Sequence, residues 1–173
     1  TDEHGQKIAE AAEKAGQEVH AYTDHYASEL KKLGSALNLS EHTFIRTTDT
    51  HHYQSAQELW RRCLKAGDIY KKAYEGLYCV GCEKFLTERD IVDGVCDIHK
   101  KAPVLLKEEN YFFRFSNYQE RLIAYLERVD SVVPDWRRLE ALEFAKQGLE
   151  DFSISREKAR LSWGVPVPDD ETQ

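Results

Sequence analysis

The 173-residue sequence contains no methionine and opens on Thr1. A translated chain begins with Met, so this start implies processing or excision. The opening Thr1-Asp2-Glu3-His4-Gly5 reads as the end of a strand-to-helix turn whose strand is missing. The expectation is a piece of a longer protein. Cysteine is scarce too: four residues are too few for a disulfide scaffold at this length. No apolar run approaches a bilayer span, and the N-terminal stretch has no apolar signal core. These absences predict a soluble, cytoplasmic chain outside the secretory route, with an organelle as the other compartment and no membrane partner. Positive charge is also short, with 24 Lys and Arg against 31 Asp and Glu for a net −7. That balance argues against holding nucleic acid by bulk electrostatics and leaves only local basic patches. Neither a P-loop nor GxGxxG, GxSxG or HExxH occurs, so motifs alone identify no catalytic machinery.

What is present supports a folded core: 41% hydrophobic, 32% charged and 11% aromatic residues. Periodicity predicts a short helix over Gln6–Ala15 stopped by Gly16, then a longer one over Glu18–Leu37. The longer helix buries a stripe of Val19, Tyr22, Tyr26, Leu30, Leu33 and Leu37. Phe44–Thr48 is a short extended run. Asp49 or Thr50 then caps a helix to Ala66, with Ala56, Leu59, Trp60, Cys63 and Leu64 inward and Gly67 as its stop. At Asp68 the composition changes. Ile69-Tyr70, Tyr74 and Leu77-Tyr78 predict strand bent around Gly76, and Val104–Leu106 with Tyr111–Phe113 predict a second strand pair. Helical periodicity returns over Asn117–Arg128. It returns again over Asp135–Gly148, where Pro134 suits the first turn and Leu139, Leu142, Phe144 and Ala145 face inward. The expected architecture is a helical body (1–67 and 114–173) interrupted by a β-rich insert (68–113).

Within that insert Cys79-Val80-Gly81-Cys82 forms a C-x₂-C knuckle, and Cys96-Asp97-Ile98-His99 follows as C-x₂-H. Two such turns supply three thiolates and an imidazole, the donor set of a tetrahedral zinc site. The spacing lets two side chains converge on one ion while turn amides donate to sulfur, and Gly81 is expected to supply a positive φ. With no open position the ion is structural. An insert this small cannot bury enough apolar area to fold alone, so the metal contributes its folding energy. Cys63 reads as core. His51-His52 reads as polar helix start, because adjacent helical histidines diverge. Asn38-Leu39-Ser40 is a glycosylation sequon by pattern only. Arg61, Arg62, Lys65, Lys71 and Lys72 form a basic cluster, either a solvated face or a phosphate contact.

Several segments, in order along the chain, resemble the methionyl-tRNA synthetases, a class I aminoacyl-tRNA synthetase family. They are Thr1–Ile8, Phe44–Thr48, Gly67–Tyr70, Tyr74–Cys79, Lys107–Phe113, Ser153–Arg156 and Trp163–Pro168. The resemblance implies an α/β fold, part of a Rossmann catalytic domain, mostly helical here and split by a connective-peptide insert with a single zinc knuckle of Cys79, Cys82, Cys96 and His99. It implies methionine, ATP with Mg²⁺ and the tRNA acceptor end as partners, and a structural Zn²⁺. It also implies that Asp2 faces the ammonium of methionine and that Arg156, close to Asp2, supports the activated complex. Without the resemblance Asp2 reads as a helix cap and Arg156 as a surface residue. The family's HIGH and KMSKS signatures are absent, so the chain is not expected to be active alone. The other reading is a non-catalytic, zinc-dependent scaffold or tRNA-contact module. Oligomeric state is not legible.

Overall fold

The computed structural model describes residues 1–40 and 42–173. The chain enters through helix α1 (Gln6–Lys14), α2 (Val19–Lys31) and the short α3 (Leu33–Ala36), then α4 (Thr50–Ala66). Strands follow as β1 (Ile69–Cys79), β2 (Lys84–Phe85), β3 (Ile91–Val92), β4 (Val95–Cys96) and β5 (Val104–Phe113). Helices α5 (Gln119–Leu126) and α6 (Asp135–Lys146) lead to the short β6 (Phe152–Ser153). One antiparallel sheet has the order β2-β1-β5-β6, and β3-β4 is a separate hairpin. No described helix is long and apolar enough to cross a membrane.

Several helix boundaries follow local chemistry. Gly67 ends α4 in the left-handed region at φ 82°, where a residue with Cβ is disfavoured. Open space surrounds that position, so Gly67→Ala meets no clash and carries only the backbone penalty. It is expected to lower stability by about 1 kcal/mol, read as a shift in the urea unfolding midpoint of the full-length protein.

The long predicted helix over Glu18–Leu37 instead breaks at Lys32 into α2 and α3. Gly34 there lies so close to the His42 ring that a Cβ would stand 2.5 Å from it. The predicted bend at Gly76 is likewise absent. β1 runs through it, and the glycine is needed because the Tyr74 ring lies 2.6 Å from where its Cβ would be. The predicted strand pair at Val104–Leu106 and Tyr111–Phe113 is one strand, β5, in register with β1 from Ile69↔Phe113 to Tyr78↔Val104. Its polar middle hid this continuity. Glu108 and Asn110 are buried on the same face as Phe112, an inward polar pair sustained by the Asn110 Nδ2 bond to Glu108 Oε2 (2.7 Å) and by Arg160 Nε 2.7 Å from Glu108 Oε1.

The core comprises small clusters. Leu126, Leu142, Ala145 and Leu149 join α5 to α6, while Cys79, Leu86 and Cys96 form the other. The surface, 11875 Å², exceeds the about 8,700 Å² of a compact monomer of this mass. The predicted buried stripe of α2–α3 accordingly stands in solvent, with Tyr26, Leu30, Leu33 and Leu37 exposed and Thr23 and Ala27 buried instead. Leu59 and Leu64 of α4, Tyr125 of α5, and Leu139 and Phe144 of α6 are exposed as well. Amphipathic spacing reports a face that can be covered; no described element covers these.

Candidate functional site

The knuckle is assembled from strand ends. β1 delivers Cys79, the turn to β2 delivers Cys82, and β4 delivers Cys96. The β3-β4 hairpin closes on Asp93-Gly94, both at positive φ (51° and 77°), the turn chemistry that suits the twist of paired strands. Asp93-Gly94 between Ile91-Val92 and Val95-Cys96 is a hairpin signal in the sequence, beyond the strands predicted there. Cys82 Sγ lies 3.5 Å from Cys96 Sγ and 3.2 Å from His99 Nδ1, and Cys79 Sγ lies 3.8 Å from His99 Nδ1. All four donor atoms lie within 4.8 Å of one another. Zinc–sulfur bonds of about 2.3 Å in a tetrahedron give donor–donor edges of about 3.5–3.8 Å, so the donor set fits such an ion. The Cys82 amide donates to Cys79 Sγ at 3.4 Å, as the knuckle spacing anticipated. Gly81 does not take the expected positive φ; Glu83 does, at 55°. Gly81 is required for another reason, since a Cβ there would stand 2.5 Å from the His99 ring.

Burial, with the Cys96 and Cys79 thiols beside it, pushes Cys82 up to about 12, whereas the His99 amide draws Cys96 down to about 6. A dication displaces protons from such crowded thiols. Among the described residues, these four can hold a metal ion.

The Thr1–Gly5 turn begins alongside the Phe44–Thr48 segment. Thr1 N donates to Ile45 O (2.6 Å) and Thr47 N to Thr1 O (3.1 Å), so the predicted extended run Phe44–Thr48 lies alongside the opening segment. Glu3 is buried beneath. Arg46 holds it through two parallel bonds (2.7 and 2.9 Å), and Thr48 Oγ1 donates at 2.6 Å. Burial alone would raise the Glu3 carboxyl, but Arg46 and the hydroxyls of Thr1 and Thr48 outweigh it and hold it at about 2. Neither Glu3 nor Arg46 was singled out from sequence, because the pair is separated along the chain and only the fold joins them. His4 contacts Tyr53 Oη at 3.1 Å, and burial lowers its pKa despite Asp2 and Glu3 nearby. With Glu3 turned inward, Asp2 is left exposed at the neighbouring position.

Asp2 and Arg156 line one cavity of about 470 Å³, together with His4, Trp60, Tyr78 and Arg160. They do not form an ion pair; among the described residues no carboxylate lies within 4.0 Å of the Arg156 guanidinium. Arg156 is instead fixed by neutral acceptors. Nη1 donates to Ser153 Oγ (2.9 Å) and Ser155 O (2.6 Å), and Nη2 donates to Glu83 O (2.8 Å). Its positive charge also lies over the Tyr78 ring at 5.2 Å. β6 sets this segment by pairing Ser153 with Phe112, and the Ile154 amide extends the pairing to Tyr111 O. The cavity therefore presents an exposed carboxylate and a guanidinium whose charge is not neutralised, an arrangement able to orient a zwitterion or an anionic intermediate.

The basic cluster is less available than its sequence suggested. Lys71 pairs with Asp170 at 2.8 Å and Arg62 with Glu58 at 2.9 Å. Cys63, read as core, is half-buried.

A model of the family "tRNA synthetases class I (M)" matches residues 1–96 and 88–173. Methionine–tRNA ligase of Clostridium acetobutylicum is 44% identical over 99% of this chain and 27% of its own length. That of Streptomyces coelicolor is 43% identical over 99% of this chain and 33% of its own. The chain thus spans about a quarter to a third of the curated relatives it matches. The solved structure of Mycobacterium tuberculosis methionyl-tRNA synthetase in complex with methionyl-adenylate superposes with a TM-score of 0.88 at 41% identity, covering 98% of this chain and 34% of that one. The fold is therefore that of a class I synthetase catalytic domain, helix and sheet mixed, with a Cys/His knuckle. Matched from its first residue to its last, the chain belongs to the class I tRNA synthetase family of methionyl type.

Proposed function

We propose that the chain is the central part of a methionine–tRNA ligase, with the Asp2–Arg156 cavity as part of its methionine-activating site. The supporting observation is that an exposed carboxylate and a guanidinium with no carboxylate partner among the described residues line the same cavity. In this reading Asp2 receives the ammonium of methionine. Arg156 stabilises negative charge as the methionine carboxylate attacks the α-phosphorus of ATP, bound with Mg²⁺, and pyrophosphate leaves. The terminal adenosine of the tRNA acceptor end then takes the aminoacyl group and AMP departs. The protein contributes position and charge, not a covalent intermediate.

Residues 68–113 form the connective insert between catalytic segments 1–67 and 114–173. In support, its two ends are neighbours, Ile69 opposite Phe113. Cys79, Cys82, Cys96 and His99 would hold one structural Zn²⁺, which fixes the insert and takes no part in the reaction. The bacterial relatives and the lack of a described membrane-crossing helix support a cytoplasmic location.

In the full-length enzyme, Asp2→Ala and Arg156→Ala are each expected to slow methionine-dependent ATP–pyrophosphate exchange by about 10²–10³-fold, with zinc content unchanged. Exchange at the parent rate in both variants would remove the site assignment and favour a non-catalytic scaffold.

A further inference from the structure

Helix α1 begins without a local cap. Its N-cap is Gly5, which makes no side-chain capping bond, and its first turn has no acidic residue. Free amides and the positive end of the helix dipole normally draw a local Ser, Thr, Asp or Asn. Here the acceptor comes from the knuckle. Glu83, next to Cys82, places Oε1 3.3 Å from the Lys7 amide. The carboxylate fits so closely over Gly5 that a Cβ there would lie 2.4 Å from Oε1. The Glu83 main chain serves the other wall of the cavity, its carbonyl accepting from Arg156 Nη2 at 2.8 Å. Its backbone is held in the left-handed region at φ 55°, a conformation that a non-glycine residue keeps only where its surroundings impose it.

We infer that Glu83 is a positioning residue that couples the Cys/His knuckle to methionine binding. Its side chain fixes the start of α1, and with it the Asp2 turn, while its carbonyl fixes Arg156. Since Glu83 directly follows a knuckle ligand, an ordered knuckle orders both walls. This rests on the cavity being the methionine site. Glu83 itself acts through Asp2 and Arg156.

The test measures methionine affinity by equilibrium dialysis on full-length enzyme, with zinc content determined on the same samples. Glu83→Ala is expected to weaken methionine binding about tenfold, the worth of one charge-assisted bond at a helix N-terminus. Zinc should stay at the parent level and KM for ATP should be little changed. Glu83→Gln, which keeps an acceptor, should recover most of the loss. Lys7→Pro removes the donated N–H from the other side, at the second helical position, where the amide has no partner within the helix, and should weaken methionine binding without touching the knuckle. It decides the matter should Glu83→Ala shed zinc. Parent-like methionine affinity in Lys7→Pro, or in Glu83→Ala with zinc intact, overturns the coupling. Asp2→Ala separates the two levels. If Asp2→Ala binds methionine weakly and the Glu83 and Lys7 variants do not, the coupling alone fails; if Asp2→Ala also binds normally, the cavity reading fails.

Discussion

Replacing Cys96 with alanine is expected to strip the metal from the full-length protein and unfold residues 68–113. Cys96 is 1% exposed and sits at the end of the β3-β4 hairpin, where it belongs both to the donor set and to the small cluster with Cys79 and Leu86. Three donors cannot close a tetrahedral shell. The apparent worth of a structural zinc, about 10–16 kcal/mol in small modules, exceeds anything this cluster could contribute by burial. Cys79, Leu86 and Cys96 together bury roughly one Leu and two thiols, only a few kcal/mol at about 1.5–3 kcal/mol per large side chain. Limited proteolysis and metal analysis check the expectation: cleavage should concentrate in 68–113 as zinc falls toward zero. Parent-like resistance in that segment would mean that the long β1-β5 ladder holds the region without metal.

Arg46→Ala is expected to destabilise the protein by about 3–5 kcal/mol, because it leaves Glu3 as a buried charge without its cation. Glu3 is 4% exposed, and two of its strongest bonds come from the Arg46 guanidinium. Arg46→Lys should recover only part of this, since an ammonium cannot donate the same parallel pair. The interaction also has a pH signature. Glu3 sits at about 2 in the folded protein against an ordinary 4.5, so its folded pKa is depressed. Its stabilisation, on the order of 3 kcal/mol, is present above 4.5 and is lost as pH falls from about 4.5 toward 2. In Arg46→Ala burial dominates and the folded pKa moves above 4.5, so acid should relieve part of the defect as pH falls toward 4.5, and Glu3 should add no slope between 4.5 and 2. Thermal unfolding midpoints of parent and variant from neutral pH down to about 2 would measure both effects; parallel curves would show that Arg46 does not set the Glu3 ionisation.

These residues illustrate what was legible in the sequence and what was not. The knuckle was readable because its information is local. Two x₂ turns place donors in pairs, and only their meeting is left to the fold, which the β3-β4 hairpin and the β1-β2 turn accomplish. Asp2 and Arg156 were nameable only through resemblance to a family, since nothing in their own spacing distinguishes them from a helix cap and a surface arginine. Their meeting across one cavity depends on β6 joining the sheet beside β5. Glu3, Arg46 and Glu83 carry no signal at all along the chain. Each is an ordinary charged residue until a partner 43 or 76 positions away is brought to it.

Burial shows the same division from the other side. The period of Tyr26, Leu30, Leu33 and Leu37 correctly marks an apolar helix face, yet the face is exposed. Conversely Glu108 and Asn110, polar by composition, are buried because Arg160 supplies the compensating charge. Helical periodicity, the knuckle donors and the family resemblance were legible in the chain alone. Those rest on contacts within a few residues and on side-chain chemistry that does not change with context. Which apolar faces are covered, which charges are paired, and which two segments wall the cavity follow from the folded arrangement, because burial and ion pairing are properties of neighbours in space.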